Sequence, residues 1–475
     1  MVKLLKQTYL VKNYGIPIIF ILAVSFFSSI ILSQLEFWLV FGIILYIILL
    51  ICFSKGLRDV LNIHAVAISL IVLYALPSAI LILNGEIALD KDESLILFSS
   101  IIIGLIGYTV GVLFFRIFFP FKKKENSQLS KKLNYLFWLT YQYKFLLLFI
   151  ACAVLLYGGL QPMGMSYVES IKYRMETPGV VQYFNSLMGA VFAVITIAMI
   201  SIIGDIARYR KLSWFSYLLI GLVILNIISG HRSIIISLFV CLLLAFQPYL
   251  KRRHVLLILI LSFIMIFAIS GGIRYARTGT TVKQKAENLY TYFFQVKTFK
   301  SLFWGLDDFT DPFSTFITLV KNIPENIPFD YSAYFKDCSL LIPTIIYPDR
   351  PLPYNKWYMK TFEPELFAKG AGKTFYVIGF GYLFAGLIGV FIHLFLFGVL
   401  FEWLNKFFRM IGGAAGLLLY SYFFIQLISF VVGYGFIVFI KGLFMNFLIP
   451  LFLLFLFTLI FYTLSPRKAK MSHNN

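Results

Sequence analysis

The sequence predicts an all-α polytopic membrane protein with about twelve transmembrane helices and one large extracytoplasmic loop. Three observations lead there. Of 475 residues, 60% are hydrophobic and 13% charged, with a mean hydropathy of +0.88, whereas a soluble domain is about half apolar and a quarter charged. Unbroken apolar runs of about twenty residues, long enough to cross a bilayer as a helix, recur along the whole chain. These runs lack the alternating segments of about ten residues that an outer-membrane barrel needs, so that class is excluded as well.

Apolar runs read against Lys/Arg clusters place helices at about 15–33, 36–53, 60–83, 95–118, 136–159, 186–204, 213–229, 233–250, 255–271, 376–401, 411–432 and 443–463. Residues 1–271 hold the first nine, 272–375 form the large loop, and 376–475 hold the last three and a tail. The N-terminal run to about Leu32 is too long for a signal peptide and has no small-residue cleavage site, so it reads as a retained first helix. With the N-terminus in the cytoplasm, 22 Lys and Arg fall on the inner side and only Lys91, Lys172, Arg174, Arg232 and Lys441 in the short outer loops. The positive-inside rule therefore puts both termini in the cytoplasm and the large loop outside.

The net charge of +20 is mostly this inside bias, and no basic, aromatic-interleaved segment suits a nucleic-acid groove. Cys52, Cys152 and Cys241 lie in apolar spans and only Cys338 in a polar segment, so no disulfide framework forms. The acidic residues all fall at expected helix ends or in loops, which counts against an ion-coupled transporter. P-loop, HExxH, GxSxG and kinase signatures are absent, and the chain carries no sign of a nucleotide cofactor. His64, His231, His254 and His393 stand alone without a second metal ligand, and the Asp307, Asp308 and Asp311 group lacks the glycine turn of a calcium loop. No metal site is expected.

A loop of about a hundred residues is long enough to imply a function. Within it, KSLFWGLDDFTDPFSTFITLVKNIP has helical apolar spacing and reads as an amphipathic helix, and the proline-rich LIPTIIYPDRPLPYNKWY as an extended, turn-rich path.

Four outward-facing arginine sites stand out because cations are scarce on that side. His231 and Arg232 occupy the tight Gly230-to-Ser233 turn, where the guanidinium either snorkels to lipid phosphates or grips a phosphate bidentately. Arg274 and Arg277 share one helical face, either as a solvated helix end or as a diphosphate clamp. Arg174 lies beside Lys172, Tyr167 and Tyr173. The Tyr347-Pro348-Asp349-Arg350-Pro351 run either rigidifies a turn in which Asp349 and Arg350 satisfy each other or presents the arginine to an anion.

These residues resemble the Wzy-type O-antigen or capsule polymerases, the oligosaccharide repeat-unit polymerases. The likeness rests on the many-helix layout with one late outer loop, on Gly230-x-Arg232-Ser233, on Arg274 at the loop's start, and on Ile342-Pro343 through Tyr347-Pro348-Asp349-Arg350-Pro351. It extends to a re-entry through Gly379-Phe380-Gly381-Tyr382-Leu383-Phe384-Ala385-Gly386 and is strongest from Ser229 to Val399. Many relatives carry an acidic residue just before that tyrosine, where this chain has Phe380 and Gly381.

The resemblance implies a GT-C-like glycosyltransferase in a bacterial cytoplasmic membrane. It would move a growing glycan from undecaprenyl pyrophosphate to the next lipid-linked repeat unit, in lipopolysaccharide, capsule or exopolysaccharide synthesis, beside a flippase and a chain-length regulator. Arg232, Arg274 and Arg277 would stabilise the departing pyrophosphate, with Asp308, Asp311 or Asp349 as a general base. Arg174, His231, Tyr347, Arg350 and Trp357 would bind phosphate, acceptor or sugar. The alternatives are an O-antigen ligase, disfavoured because the loop lacks the histidine such ligases use there, and a transporter or flippase of lipid-linked oligosaccharide.

Overall fold

A computed structural model describes residues 62–83, 86–119, 127–159, 187–225, 241–246, 307–342, 346–368, 373–431, 435–444 and 448–464, with isolated positions between 249 and 292. Among the described residues the protein is helical, without a strand. Before the large loop the described helices are α1 (Ile63–Leu83), α2 (Lys91–Phe118), α3 (Ser127–Gln142), α4 (Lys144–Gly159), α5 (Leu187–Tyr209) and α6 (Trp214–Leu225). The segment that the sequence reading places outside, the outer segment, forms α7 (Asp307–Asn322), α8 (Ala333–Ser339), α9 (Tyr354–Phe362) and α10 (Pro364–Ala368). The chain then runs through α11 (Val377–Ile411), α12 (Gly413–Val431), α13 (Phe436–Leu443) and α14 (Ile449–Leu464). Among the described residues, two helices, α2 and α11, are by length and composition able to cross a membrane, or three if the bent pair α3 and α4 counts as one span. The expected helices at 15–33, 36–53 and 255–271 lie outside the described residues.

α2 begins at Lys91, before the expected start at about 95, with a capping box in which Glu93 accepts the Asp90 N–H at 2.9 Å. It then packs along α11 at backbone distance, because small residues face the contact. A methyl group on Gly107 would lie 2.5 Å from the Phe391 carbonyl oxygen, and Gly111 and Gly398 meet the backbone at Phe395 and Tyr108 just as closely. Contacts advance together along both helices, from Gly104 with Val390 to Arg116 with Glu402, so α2 and α11 run parallel.

α11 is not one straight rod. Ala385 (φ −160°, ψ 40°) and Gly386 (φ 60°, ψ −142°) break it, and the chain folds back on itself. A methyl group on Gly381 would lie 2.7 Å from the Val390 Cα and 2.9 Å from the Gly389 carbonyl, whereas a straight helix would hold residues 381 and 389 roughly 12 Å apart. Only glycine permits this approach and the positive φ at the turn. Residues 377–384 are thus a short re-entrant arm, and 387–411 still reach roughly 37 Å, more than a bilayer core of about 30 Å.

The sequence reading ends this helix at 401 and so leaves Glu402 at an end. The structure continues it to Ile411 and buries Glu402 inside it. Its carboxylate meets His64 Nε2 at 2.6 Å and Arg116 Nε at 2.9 Å, while the other nitrogen of His64 is 2.9 Å from the Tyr108 hydroxyl. Three helices are cross-linked at one end by this network.

The expected span 136–159 is instead split. α3 and α4 are bent by 69° at Tyr143, where an amphipathic helix gives way to an apolar one. Buried Asp205, at the end of α5, holds the bend by accepting from the Tyr141 hydroxyl at 2.6 Å and pairing with Lys144 at 3.3 Å. Asn134 of α3 also closes the α11–α12 turn, accepting the Ala415 N–H at 3.1 Å where Gly412 and Gly413 take positive φ.

Candidate functional site

The outer segment is built onto the re-entrant arm. α7 buries Phe313, Phe316, Leu319 and Val320 along one helical face. That face meets the arm: Phe313 and Phe316 pack on Tyr376 with centroids 5.5 and 6.1 Å away, and Phe316 on Tyr382 at 5.7 Å. The amphipathic helix read from the sequence is present, with its apolar face on this arm and on α1 and α2. Asp311 lies on the opposite, exposed face. Asp308 lies in the first turn of α7, and its side chain is outside the described residues.

Asp311 contributes to a charged cluster around Lys373. Burial opposes the charge on Lys373, but the Glu363 carboxylate at 2.6 Å, with Tyr358 and Asp311 nearby, holds its pKa above the usual value.

Two further carboxylates lie in this segment, in contrasting environments. Asp330 accepts from Lys336 at 2.8 Å, from the Ser332 hydroxyl at 2.6 Å and from the Tyr354 hydroxyl at 2.9 Å. Burial works against its charge, yet these donors outweigh it and keep the pKa low. Asp337, on the buried face of α8, accepts the Ile437 N–H at 3.0 Å and so caps α13 from outside that helix. Its Oδ1 has no hydrogen-bond partner among the described residues. Burial pushes this carboxyl up to about 6 against the Ile437 and Val438 N–H groups, which favour the charge.

One helical turn before Asp337, the Tyr334 hydroxyl shares a 2.6 Å hydrogen bond with His393 Nδ1. The His393 ring is enclosed by Phe380, Phe397 and Tyr334, and its Nε2 has no partner among the described residues. Sequence reasoning read His393 only as an isolated histidine and did not single out Asp337, so this buried polar pair of positions was not expected. A histidine in an apolar run gives no sign of a tyrosine brought in from a loop, and Asp337 looks like any loop carboxylate.

The turn around Arg350 differs from the self-satisfied pair considered from sequence. Among the described residues no ion pair joins Asp349 to Arg350. Arg350 Nη1 instead donates to the carbonyls of Leu340 at 3.2 Å and Ile342 at 2.7 Å. Lys441, in the last turn of α13, donates to the same Leu340 carbonyl at 2.5 Å. The sequence reading counts Lys441 among the few outer-loop cations but assigns it no site, and that scarcity is the signal that could have found it. Asp349 and Tyr347 are exposed beside this turn, while Trp357 is half-buried in an edge-on contact with Tyr354 at 6.0 Å.

The structure thus brings Tyr347, Asp349 and Arg350 together on one turn. Asp311 lies elsewhere, with Lys373, and Arg174, His231, Arg232, Arg274 and Arg277 lie outside the described residues. Among the described residues no group of three His, Cys, Asp or Glu side chains is placed to hold a metal ion.

No curated protein and no solved structure matches the chain. A family model described as a domain of unknown function, DUF8712, matches residues 159–466, which take in the outer segment, the re-entrant arm and every helix after them. The chain belongs to the DUF8712 family.

Proposed function

We propose that this protein is a polytopic glycosyltransferase of a bacterial cytoplasmic membrane, with about twelve spans and both termini in the cytoplasm. It transfers a growing glycan from undecaprenyl pyrophosphate to the next lipid-linked repeat unit on the outer face. The observation that carries the reading is that residues 307–342, 346–368 and 373–376 are no free connection. They fold into helices seated on the re-entrant arm and on α1 and α2, as a substrate-enclosing loop requires and a flippase does not. The parallel course of α2 and α11 agrees with this topology, because the fourth and tenth expected spans must point the same way.

In this reaction the acceptor hydroxyl attacks the anomeric carbon, a glycosidic bond forms, and the bond from that carbon to the phosphate oxygen breaks. Arg232, Arg274 and Arg277 meet the charge that develops on the leaving diphosphate. The acceptor proton passes to a carboxylate, for which Asp308, Asp311 and Asp349 remain the sequence candidates. Arg174, His231, Tyr347, Arg350 and Trp357 bind the phosphates and sugars. The test is Arg232→Ala and Arg274→Ala at normal protein level. Each should abolish polymer and leave single repeat units, with lysine rescuing only in part because an ammonium cannot fork two hydrogen bonds. Full-length polymer in an alanine variant removes that arginine from the site.

A second reading, transport of the lipid-linked sugar, draws on one observation: the hydrogen-bonded Glu402, His64 and Tyr108 inside the bundle resemble part of a proton relay. Arg116 already pairs with Glu402, however, which favours a fixed cross-link over a carrier site.

A further inference from the structure

We infer that Arg350 and Lys441 form a binding site for a phosphate or diphosphate ester that carries an apolar chain. The two cations come from different parts of the sequence, one from the proline-rich turn of the outer segment and one from the helix before α14. They converge on a single acceptor, the Leu340 carbonyl. Among the described residues neither is ion-paired to a carboxylate. Of the acids on these segments, Asp349 is exposed and does not pair with Arg350, Asp330 pairs with Lys336, and Asp337 accepts through Oδ2 at the start of α13.

Two full positive charges on one neutral oxygen repel each other. Burial, and after it the charge of Arg350, lowers the pKa of the Lys441 ammonium. An anion bridging the pair would remove that cost and supply charge-assisted hydrogen bonds to both. Capping of the α8 carbonyls would need only one cation, and Arg350 already reaches both Leu340 and Ile342.

Both cations are held on firm supports. Pro348, Pro351 and Pro353 flank Arg350, and Asp337 pins the first turn of the helix that carries Lys441. Both side chains are half-buried, so a ligand can reach them.

The surroundings select an amphiphile over free phosphate. Leu341, Ile342, Ile346 and, on α8, Phe335 are exposed on the same segment, with Ile346 at 74% and Phe335 at 80%. An apolar surface beside a paired cation site suits a headgroup with its chain attached. The polyprenyl identity of that chain rests on the proposed glycan transfer, while the binding itself does not depend on turnover.

The experiment uses purified full-length protein in neutral detergent with tritiated farnesyl diphosphate as probe. The wild type should bind it, and Lys441→Gln should weaken binding by about tenfold or more, as expected for losing one charged hydrogen bond. Lys441→Arg should retain binding. Inorganic diphosphate should compete more weakly than the probe, and farnesol and phosphatidylglycerol hardly at all. A Lys441→Gln protein that melts like the wild type and binds equally well overturns the inference. So does a wild type that binds no probe, or one from which phosphatidylglycerol displaces the probe on equal terms. Glycan lengthening measured on the same samples separates the two ideas. Binding without lengthening leaves this site and removes the polymerase, whereas lengthening with no effect of Lys441→Gln on binding leaves the polymerase and removes this site.

Discussion

The Phe380 and His393 rings lie 4.7 Å apart, centroid to centroid, although a straight helix would separate these residues by roughly 20 Å. This contact exists because the chain reverses at Ala385 and Gly386. The reversal creates the floor on which the outer segment sits: Phe329 reaches the turn at Gly386, Tyr334 reaches His393, and Tyr354 packs on Phe380.

The hairpin predicts a specific sensitivity at its glycines. Gly381→Val puts methyl groups into the backbone at Val390 and should cost about 1–3 kcal/mol or more, the range for overpacking a tight contact. Gly221→Ala, where a methyl meets nothing within 4 Å, should be neutral or slightly stabilising. Thermal melting in detergent compares the two. Equal melting temperatures would mean that the arm does not pack as described.

Asp337 predicts a pH dependence of stability with a definite sign. Its folded pKa of about 6 lies above the ordinary 3.8, so the folded state holds its proton more tightly. The resulting stabilisation is full below about pH 4 and is lost as pH rises through about 6. Asp337→Asn should flatten that part of the melting profile. Asp330, with its pKa lowered, works oppositely: its contribution is present above the ordinary carboxylate value and is lost as pH falls through the folded one. Superimposable profiles for wild type and Asp337→Asn between pH 4 and 7 would show that Asp337 is not buried in this way.

The Glu402 cross-link predicts an asymmetry between single and double changes. Glu402→Leu leaves Arg116 and His64 without their acceptor and should destabilise by about 3–5 kcal/mol, whereas adding Arg116→Met should recover part of the loss. A double-mutant cycle on unfolding in detergent measures the coupling. Additive losses would mean that the two side chains act independently.

Orientation is tested with a native side chain. Cys338 is exposed on α8, while Cys241 is buried. A membrane-impermeant maleimide should label Cys338 in intact cells or spheroplasts, and Cys338→Ser should abolish the signal. Labelling of Cys338 only after lysis would put the outer segment in the cytoplasm.

Much of the helical framework was legible because apolar runs and caps are local signals. The amphipathic face of α7 was read in this way, whereas the Asp90–Glu93 box, equally local, was not, and the helix was expected to start at about 95. The reversal inside α11 was not legible, since Phe384-Ala385-Gly386-Leu387 sits within one continuous apolar run and hydropathy does not register direction. Glu402 was placed at a helix end for a related reason: its burial depends on His64 and Arg116, which sequence spacing cannot bring near. At the site, Arg350 was found through its proline frame and its scarcity as an outer cation. Its partner Lys441 shares only the scarcity, and the meeting at Leu340 is purely tertiary.

The proposed glycan transfer, driven by the diphosphate already on the carrier, is read out by product length over time. Purified, chelator-treated protein in detergent is mixed with lipid-linked repeat units alone, without ATP or a membrane potential, and the glycans are resolved by size. The account predicts a ladder of lengthened glycans on the carrier, with release of the free diphosphate carrier, and loss of both in Arg274→Ala. Folded protein that leaves the units at single length, yet moves them between leaflets once reconstituted in vesicles, would contradict it.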